Sequence, residues 1–176
     1  MRRLILVAAL AAAAAGTDGC KRRDKLLVQA TEEESAGLAS VVHVADPRMA
    51  PQLVSGFYDV EQNSWRWTKS KFAVTLRPPA GASQNGARLE MKFNLPEAVT
   101  SKVGAVTVRA NAGGTDLPAE TFAKPGDCAY AQDVPGAVLN SNAVKVQFTL
   151  DKFLPPGGAD KRELGVIVTT VGFEAK

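Results

Sequence analysis

The sequence predicts an all-β domain behind an N-terminal export signal: an antiparallel β-sandwich, jelly-roll-like, of seven or eight strands. Two observations predict it. Several segments alternate apolar and polar residues with a period of two, which is typical of strands with one buried and one wet face. Turn signals rich in Gly, Pro and Asn separate these segments at intervals of about 8 to 15 residues, and no convincing helical period occurs between them.

The first element along the chain is an export signal over residues 1–19. Arg2 and Arg3 precede an apolar run from Leu4 to Ala15, which is too short to cross a hydrocarbon core of about 30 Å. A basic start, a short apolar run and small residues after it form the pattern of a bacterial export signal. We therefore expect the chain to be exported.

The end of this signal resembles the lipobox of bacterial lipoproteins, in which cleavage occurs just before a cysteine that receives diacylglycerol. Gly19 fits the small residue expected before Cys20, whereas Thr17 and Asp18 depart from the pattern. The resemblance implies a lipidated Cys20 and a protein anchored to a membrane of the cell envelope, in the periplasm or facing the outer membrane. Cleavage by an ordinary signal peptidase within residues 13–16 would instead leave a free Cys20 thiol on a secreted chain.

The cysteine content bears on the same choice. The chain has two cysteines, Cys20 and Cys128, and two thiols in an oxidising compartment usually pair. An acylated Cys20 cannot pair. We favour lipidation, because a disulfide to Cys128 would tie down a polar segment with little apolar material to dock.

Residues 20–36 are charged and small, and they predict a tether between the membrane and a folded domain over residues 37–176. Removing residues 1–19 reduces 21 basic and 18 acidic residues to 19 and 17. This near-neutral balance argues against a nucleic-acid partner, which needs a basic face. Segment 21–25 is locally basic, and basic residues beside a lipid chain add about 1 kcal/mol each of affinity for an anionic membrane.

Six segments of the domain are predicted strands. Residues 86–96 and 143–152 alternate most cleanly, residues 71–79 and 104–111 add shorter apolar sets, and residues 39–46 are expected to form the first strand. The last segment, residues 164–173, begins apolar on both faces, which predicts a more central strand. In the two clearest segments the expected core residues are Leu89, Met91, Phe93, Leu95, Val144, Val146, Phe148 and Leu150.

Aromatic residues concentrate between positions 56 and 68, in GFYDVEQNSWRWT, which reads as a hairpin with its turn at EQN. Trp65 and Trp67 are two positions apart and share one side of a strand. The alternate residues Ser64, Arg66 and Thr68 look like a solvent face, which would direct both indoles towards the core. We expect Trp67 in the core and Trp65 more exposed.

This aromatic cluster has two interpretations. It is either a structural corner of the sandwich, which we favour, or a platform on which a sugar stacks. Stacking requires an exposed ring with a hydrogen-bond donor nearby. The candidate ligand-binding residues are therefore Tyr58, Trp65 and Arg66.

No catalytic residue, metal ligand or cofactor site is predicted. His43 is the only histidine and alternates with valines, so it is expected to be structural. The sequence has no G-x-S-x-G motif, no glycine-rich nucleotide motif and no zinc-ligand spacing around Cys128. Acidic residues such as Asp59, Glu61, Asp160 and Glu163 are scattered among basic neighbours, so nothing marks a glycosidase pair. We expect a protein that is not an enzyme.

Three stretches in order, GFYDVE, WRWT and PPGGADKRELGVIV, resemble a small β-sandwich module of bacterial envelope-associated proteins. Related modules are appended to some glycosyltransferases of polysaccharide synthesis. The resemblance covers residues 55–173 and reaches Gly56, Trp67 and the turn at 160–165. It implies an accessory, non-catalytic sandwich associated with glycans.

Two functions are therefore expected as alternatives. The first is a lipid-anchored envelope module that binds polysaccharide. The second is a structural or interaction subunit that contacts an envelope protein through its sheet edges and long loops.

Overall fold

The computed structural model describes residues 37–176. The predicted export signal, the predicted lipidation site at Cys20 and the predicted tether lie outside the described residues. Within residues 37–176, no helix has the length and apolar character that a membrane span requires.

The described part of the chain forms one antiparallel sheet of ten strands. Seven of these strands have seven or more residues, and three short strands of two or three residues extend the sheet. The strands are β1 (Val41–His43), β2 (Leu53–Glu61), β3 (Trp65–Leu76), β4 (Ala87–Leu95), β5 (Val106–Ala112), β6 (Thr115–Asp116), β7 (Glu120–Phe122), β8 (Gly126–Val134), β9 (Val144–Leu150) and β10 (Ile167–Ala175).

The order of strands across the sheet is β6-β5-β9-β3-β10-β4-β8, with β1 added to β10, β2 to β3 and β7 to β5. The sheet curls until its two ends face each other. Tyr130 of β8 meets Phe148 of β9 edge to face at 6.2 Å, and Phe93 of β4 meets Phe122 of β7 at 5.0 Å. The Tyr130 hydroxyl also crosses the interior and donates to the Pro118 carbonyl at 2.8 Å. These contacts close the layers around one core, and the predicted all-β sandwich is confirmed.

The core comes from strict alternation along the strands. In β4 the inward residues are at most 3 % exposed, and β9 shows the same pattern. Each inward side chain that leaves water contributes about 1.5–3 kcal/mol, whereas its neighbours stay solvated. The buried residues of these two strands are Ala87, Leu89, Met91, Phe93, Leu95, Val144, Val146, Phe148 and Leu150.

Strand β10 lies between β3 and β4 and is central, as its apolar sequence predicts. Its register against β4 shifts between Val168 and Thr170. A bulge of this kind adds one residue and reverses the alternation beyond it. For this reason Val168, Val171 and Phe173 are all buried although their spacing is not uniformly two.

The connections contain short helices that the sequence analysis did not predict. They are too short to show a helical period. The longer α-helix follows Pro96, which cannot donate a hydrogen bond, and ends at Gly104 with a φ of 75°. The helices are α1 (Ala82–Asn85), α2 (Glu97–Val103) and two 3-10 helices at Pro47–Gln52 and Gly136–Val138.

Candidate functional site

The aromatic segment is a β-hairpin, as predicted. The Ser64 N–H donates to the Glu61 carbonyl at 3.1 Å, and the two residues between them, Gln62 and Asn63, have φ values of 50° and 54°. Two successive positive φ values are the mark of a type I′ turn, whose twist matches that of the paired strands. The turn brings Glu61 and Trp65 opposite each other as a cross-strand pair.

The first half of strand β3 does not face the way that the sequence predicts. Thr68 is completely buried, and it lies on the same side as Phe72 and Val74, which form part of the core. The buried hydroxyl is satisfied because it donates to the Val166 carbonyl and accepts from the Val166 N–H, both at 3.2 Å. The prediction that Thr68 is on the solvent face is therefore wrong, and Trp65 and Trp67 project from the opposite face.

The two indoles contact each other on that outer face. Their ring centroids are 6.5 Å apart at an interplanar angle of 81°, an edge-to-face geometry. Both side chains are half-buried, and Trp67 also packs against the margin of the core. Trp67 is thus less enclosed than the core position we predicted, and Trp65 keeps a partly open ring.

Arg66 is placed apart from the other two candidate residues. Its register partner on β10 is Val168, which is fully buried, so the side chain leaves the strand on the core side. The guanidinium Nε donates to the Val44 carbonyl at 2.7 Å, and Nη1 donates to the Tyr58 carbonyl at 2.8 Å. Arg66 therefore ties β2 to the segment after β1, and these two donors do not face the Tyr58 and Trp65 rings.

A different arginine, Arg162, lies beside the Tyr58 ring. Its guanidinium carbon is 5.3 Å from the ring centroid, within cation–π range. Its Nη1 donates to Glu61 at 2.7 Å and its Nη2 to Asp160 at 3.0 Å. Side-chain and backbone hydrogen bonds from Arg162 hold the pKa of Asp160 below its usual range, and the side-chain bonds to Asp160 and Glu61 raise the pKa of Arg162. The guanidinium is therefore charged and fixed in position.

Sequence reasoning missed Arg162 as a site residue because 101 residues separate it from Glu61. The available local signal was the D-K-R spacing in the turn at 160–165, where the Arg162 N–H and Nε both donate to Asp160. That signal predicts a rigid turn but not the element against which the turn packs.

The turn reaches the hairpin because the segment after it pairs with β3. The Thr68 backbone N–H donates to the Val166 carbonyl at 2.9 Å, and the Gly165 N–H donates to the Thr68 carbonyl at 2.8 Å. The Glu163 carboxylate accepts from the Ser70 N–H. Hydrogen bonding by the Ser70 side chain and backbone lowers the pKa of Glu163. A side chain at Gly165 would lie 2.9 Å from the Lys69 carbonyl oxygen, so glycine permits the close approach.

These contacts assemble a small outer surface, which we call the hairpin face: Tyr58, Glu61, Trp65, Lys69 and Arg162. The Lys69 ammonium is 5.9 Å from the centroid of the Tyr58 ring, and the Arg162 guanidinium lies beside the same ring. Tyr58 and Trp65 are both half-exposed. The face therefore combines two accessible aromatic rings with two cations and one carboxylate.

Groups suited to metal binding or nucleophilic chemistry are sparse in residues 37–176. No three His, Cys, Asp or Glu side chains of this range converge where a metal ion could be held. His43 is exposed, and its Nδ1 lies 3.4 Å from the Thr170 hydroxyl. Burial, with added repulsion from Asp127 and Glu120, raises the pKa of the Cys128 thiol, so this thiol is less ionised than an ordinary cysteine.

Comparisons with known proteins find likenesses in structure only. No family model and no curated protein sequence matches the chain. The CBM36-1 domain of a multidomain xylanase from the hindgut metagenome of Trinervitermes trinervoides aligns over 77 % of this chain and 96 % of its own, at 8 % identity and a TM-score of 0.44. A carbohydrate-binding module, CBM36, in complex with calcium and xylotriose aligns over 76 % and 98 %, at 8 % identity and a TM-score of 0.41. A family 35 carbohydrate-binding module from an environmental isolate aligns over 82 % and 90 %, at 15 % identity and a TM-score of 0.40. These likenesses are remote in both sequence and geometry.

Proposed function

We propose that this chain is an exported, lipid-anchored, non-catalytic β-sandwich module of the bacterial cell envelope that binds polysaccharide through the hairpin face. The observation that carries the proposal is the presence of two half-exposed rings, Tyr58 and Trp65, on the same face as the Arg162–Glu61 ion pair. The aromatic rings suit the apolar face of a sugar ring, and the charged groups suit the hydroxyl groups around its rim.

The rings supply the apolar part of the contact. Sugar rings present C–H groups on their faces and hydroxyl groups around their rims, so an aromatic ring suits the face and polar side chains suit the rim. Trp65 is held edge-on by Trp67, and Tyr58 is bordered by Arg162 and Lys69. Contacts of this kind limit the freedom of both rings before a ligand binds, which reduces the entropic cost of binding.

The charged groups supply the polar part. Glu61 uses Oε1 to accept from Arg162, and its remaining lone pairs can accept from sugar hydroxyls. Lys69 is exposed and carries three donors. Because Arg162 is already held by two carboxylates, we assign it to positioning Glu61 and Tyr58.

The test of glycan binding is Trp65→Ala in the full chain. Loss of the stacking ring should weaken binding at least about fivefold, since an aromatic contact contributes about 1 kcal/mol beyond simple burial. Calorimetric titration against a panel of neutral and acidic oligosaccharides measures the change. Trp67→Phe is the matched control, because it keeps an aromatic ring next to Trp65.

Equal affinity of the wild-type protein and the Trp65→Ala variant would contradict a site at the hairpin face. Silence of the wild-type protein across the whole panel would favour the second candidate function, an interaction subunit of an envelope complex. A specific observation supports that alternative. In the described sheet β2 pairs with β3 alone, and Val54 on β2 is 46 % exposed, so an open edge is available to a partner strand.

The anchoring part of the proposal rests on the sequence before the domain. The short apolar run, the Gly19–Cys20 pair and the basic segment 21–25 together support a lipid anchor next to an anionic membrane. We expect the wild-type protein to enter the detergent phase on phase partitioning and Cys20→Ser to stay in the aqueous phase. Finding both proteins in the aqueous phase would rule out the anchor and leave a secreted module.

A further inference from the structure

We propose that the groove over β5 and β9 is a second binding site and that it takes the anionic groups of an acidic polysaccharide. The naming of a polysaccharide as occupant rests on the function proposed for the hairpin face. The groove itself, its charge and its distance from the hairpin are independent of that proposal.

The groove is an open cavity of about 570 Å³ on the outer side of the sheet. This volume lies within the range of small-molecule sites, about 300–1,000 Å³. Two cross-strand pairs form its polar floor, Arg109 with Thr149 and Asn111 with Gln147. The other lining residues include Asp116 and Leu117.

Cations border this floor without carboxylate partners. Lys71 on β3 pairs with Thr149, which in turn pairs with Arg109, so the three residues form one row across three strands. Neighbouring side chains in such a row are about 5 Å apart at Cβ, which places cations at both ends of a span of about 10 Å. Within residues 37–176, no ion pair within 4.0 Å involves Lys71, Arg109 or the nearby Lys145.

Two acidic residues lie close to the row, and each accepts a hydrogen bond from a neutral donor. Asp116 accepts from the Asn111 amide at 2.6 Å. Asp151 accepts from the Thr107 N–H at 2.6 Å. Within residues 37–176, neither carboxylate forms an ion pair with Arg109, and Arg109 is exposed.

The donor set matches an anionic sugar better than a simple anion. The guanidinium fork of Arg109 binds carboxylate, phosphate or sulfate groups in a bidentate manner. Gln147 and Thr149 add an amide and a hydroxyl, which can both donate and accept, as the recognition of sugar hydroxyls requires. A free anion could accept from the donors of these two groups, whereas only a ligand with hydroxyl groups also uses their acceptor oxygens.

The groove lies on the same side of the sheet as the hairpin face. Along β3 the outward residues run from Trp65 through Lys69 to Lys71, with the core residues between them. Six residues of extended strand span about 20 Å. A polysaccharide stacked on Trp65 could therefore continue past Lys71 and present an anionic group to Arg109.

The experiment uses Arg109→Ala, Arg109→Lys and the full wild-type chain, titrated with oligogalacturonate and with the same oligosaccharide after complete methyl esterification. Esterification removes the charge and keeps the sugar chain. Arg88→Ala is the matched control, because it removes one exposed cation from β4, outside the groove lining. Phosphate ion as competitor separates capture of a free anion from recognition of the sugar.

We expect wild-type protein to bind the acid form more tightly than the ester. Arg109→Ala should weaken binding of the acid form about tenfold or more, since hydrogen bonds to charged groups contribute about 1.5–3 kcal/mol. The Arg109→Ala variant should bind the ester with the same affinity as the wild-type protein does. The Arg88→Ala control should bind both forms as the wild-type protein does, and Arg109→Lys should recover part of the loss in binding of the acid form.

The outcomes separate the two proposals. The groove assignment would be overturned if the wild-type protein bound acid and ester with equal affinity, or if Arg109→Ala and Arg88→Ala had equal affinity for the acid form. Neither result would contradict glycan binding at the hairpin face. Displacement of the oligosaccharide by phosphate alone at equal ionic strength would reassign the groove to free anions. Absence of binding to either form, together with silence across the neutral panel, would reject both proposals.

Discussion

Replacing Phe148 by Ala should lower the free energy of unfolding by about 3–5 kcal/mol, the range measured when a large aromatic is removed from a core. Phe148 is 1 % exposed. Its ring stacks on Phe72 at 5.0 Å with an interplanar angle of 14°, and it meets Tyr130 edge to face at 6.2 Å. Phe72 lies on the adjacent strand and Tyr130 on the opposite layer, so one truncation removes contacts within and between the layers.

Urea unfolding of the full chain, followed by tryptophan fluorescence, measures this loss. The matched control is Lys145→Ala on the same strand, whose side chain is exposed and should change stability by less than about 0.5 kcal/mol. A loss below about 1 kcal/mol for Phe148→Ala would mean that the assigned inner face of β9 is incorrect.

Gly56→Ala should destabilise the protein by about 2–5 kcal/mol. Gly56 has a φ of 77°, which costs a residue with a side chain about 1–2 kcal/mol. A Cβ at this position would also lie 2.2 Å from the Lys71 carbonyl oxygen and 2.7 Å from the Phe72 Cα. Both are backbone atoms of the paired strand, so the clash can be relieved only by separating β2 from β3.

Gly114→Ala provides a control for the backbone conformation alone. Gly114 has a φ of 92°, and a Cβ at this position would have no heavy atom within 4 Å apart from those of residues 113–115. The same unfolding measurement should therefore show only about 1–2 kcal/mol of loss. If the two variants lost equal stability, the close approach of β2 to β3 at Gly56 would have no energetic consequence.

The strand faces that the sequence predicted correctly belong to β4 and β9. Each alternates without interruption, and a strand that alternates in sequence can bury only one of its faces. The first half of β3 misled the prediction because Thr68 is polar and was assigned to solvent. Its hydroxyl is satisfied by Val166, 98 residues away, and a partner that distant leaves no mark in the local pattern.

Some features of the candidate site could likewise be predicted from local sequence, and others could not. The hairpin, its turn at Gln62–Asn63 and the shared side of Trp65 and Trp67 follow from neighbouring residues. Which arginine lies beside the Tyr58 ring, Arg66 or Arg162, does not follow from neighbouring residues. Arg66 is near Tyr58 in sequence yet donates to backbone on the core side, whereas Arg162 reaches the ring from a turn of the chain far along the sequence.

By itself the sequence determined the class of the fold, the inner faces of its regular strands and the position of the aromatic hairpin, because the period of a strand and the φ values of a turn depend on a few adjacent residues. Tertiary structure alone decided the strand order, the outward direction of the two tryptophans and the row of Lys71, Thr149 and Arg109. Each of these depends on which distant strands pair and in which register, and antiparallel pairing in a curled sheet brings together residues that no local pattern connects.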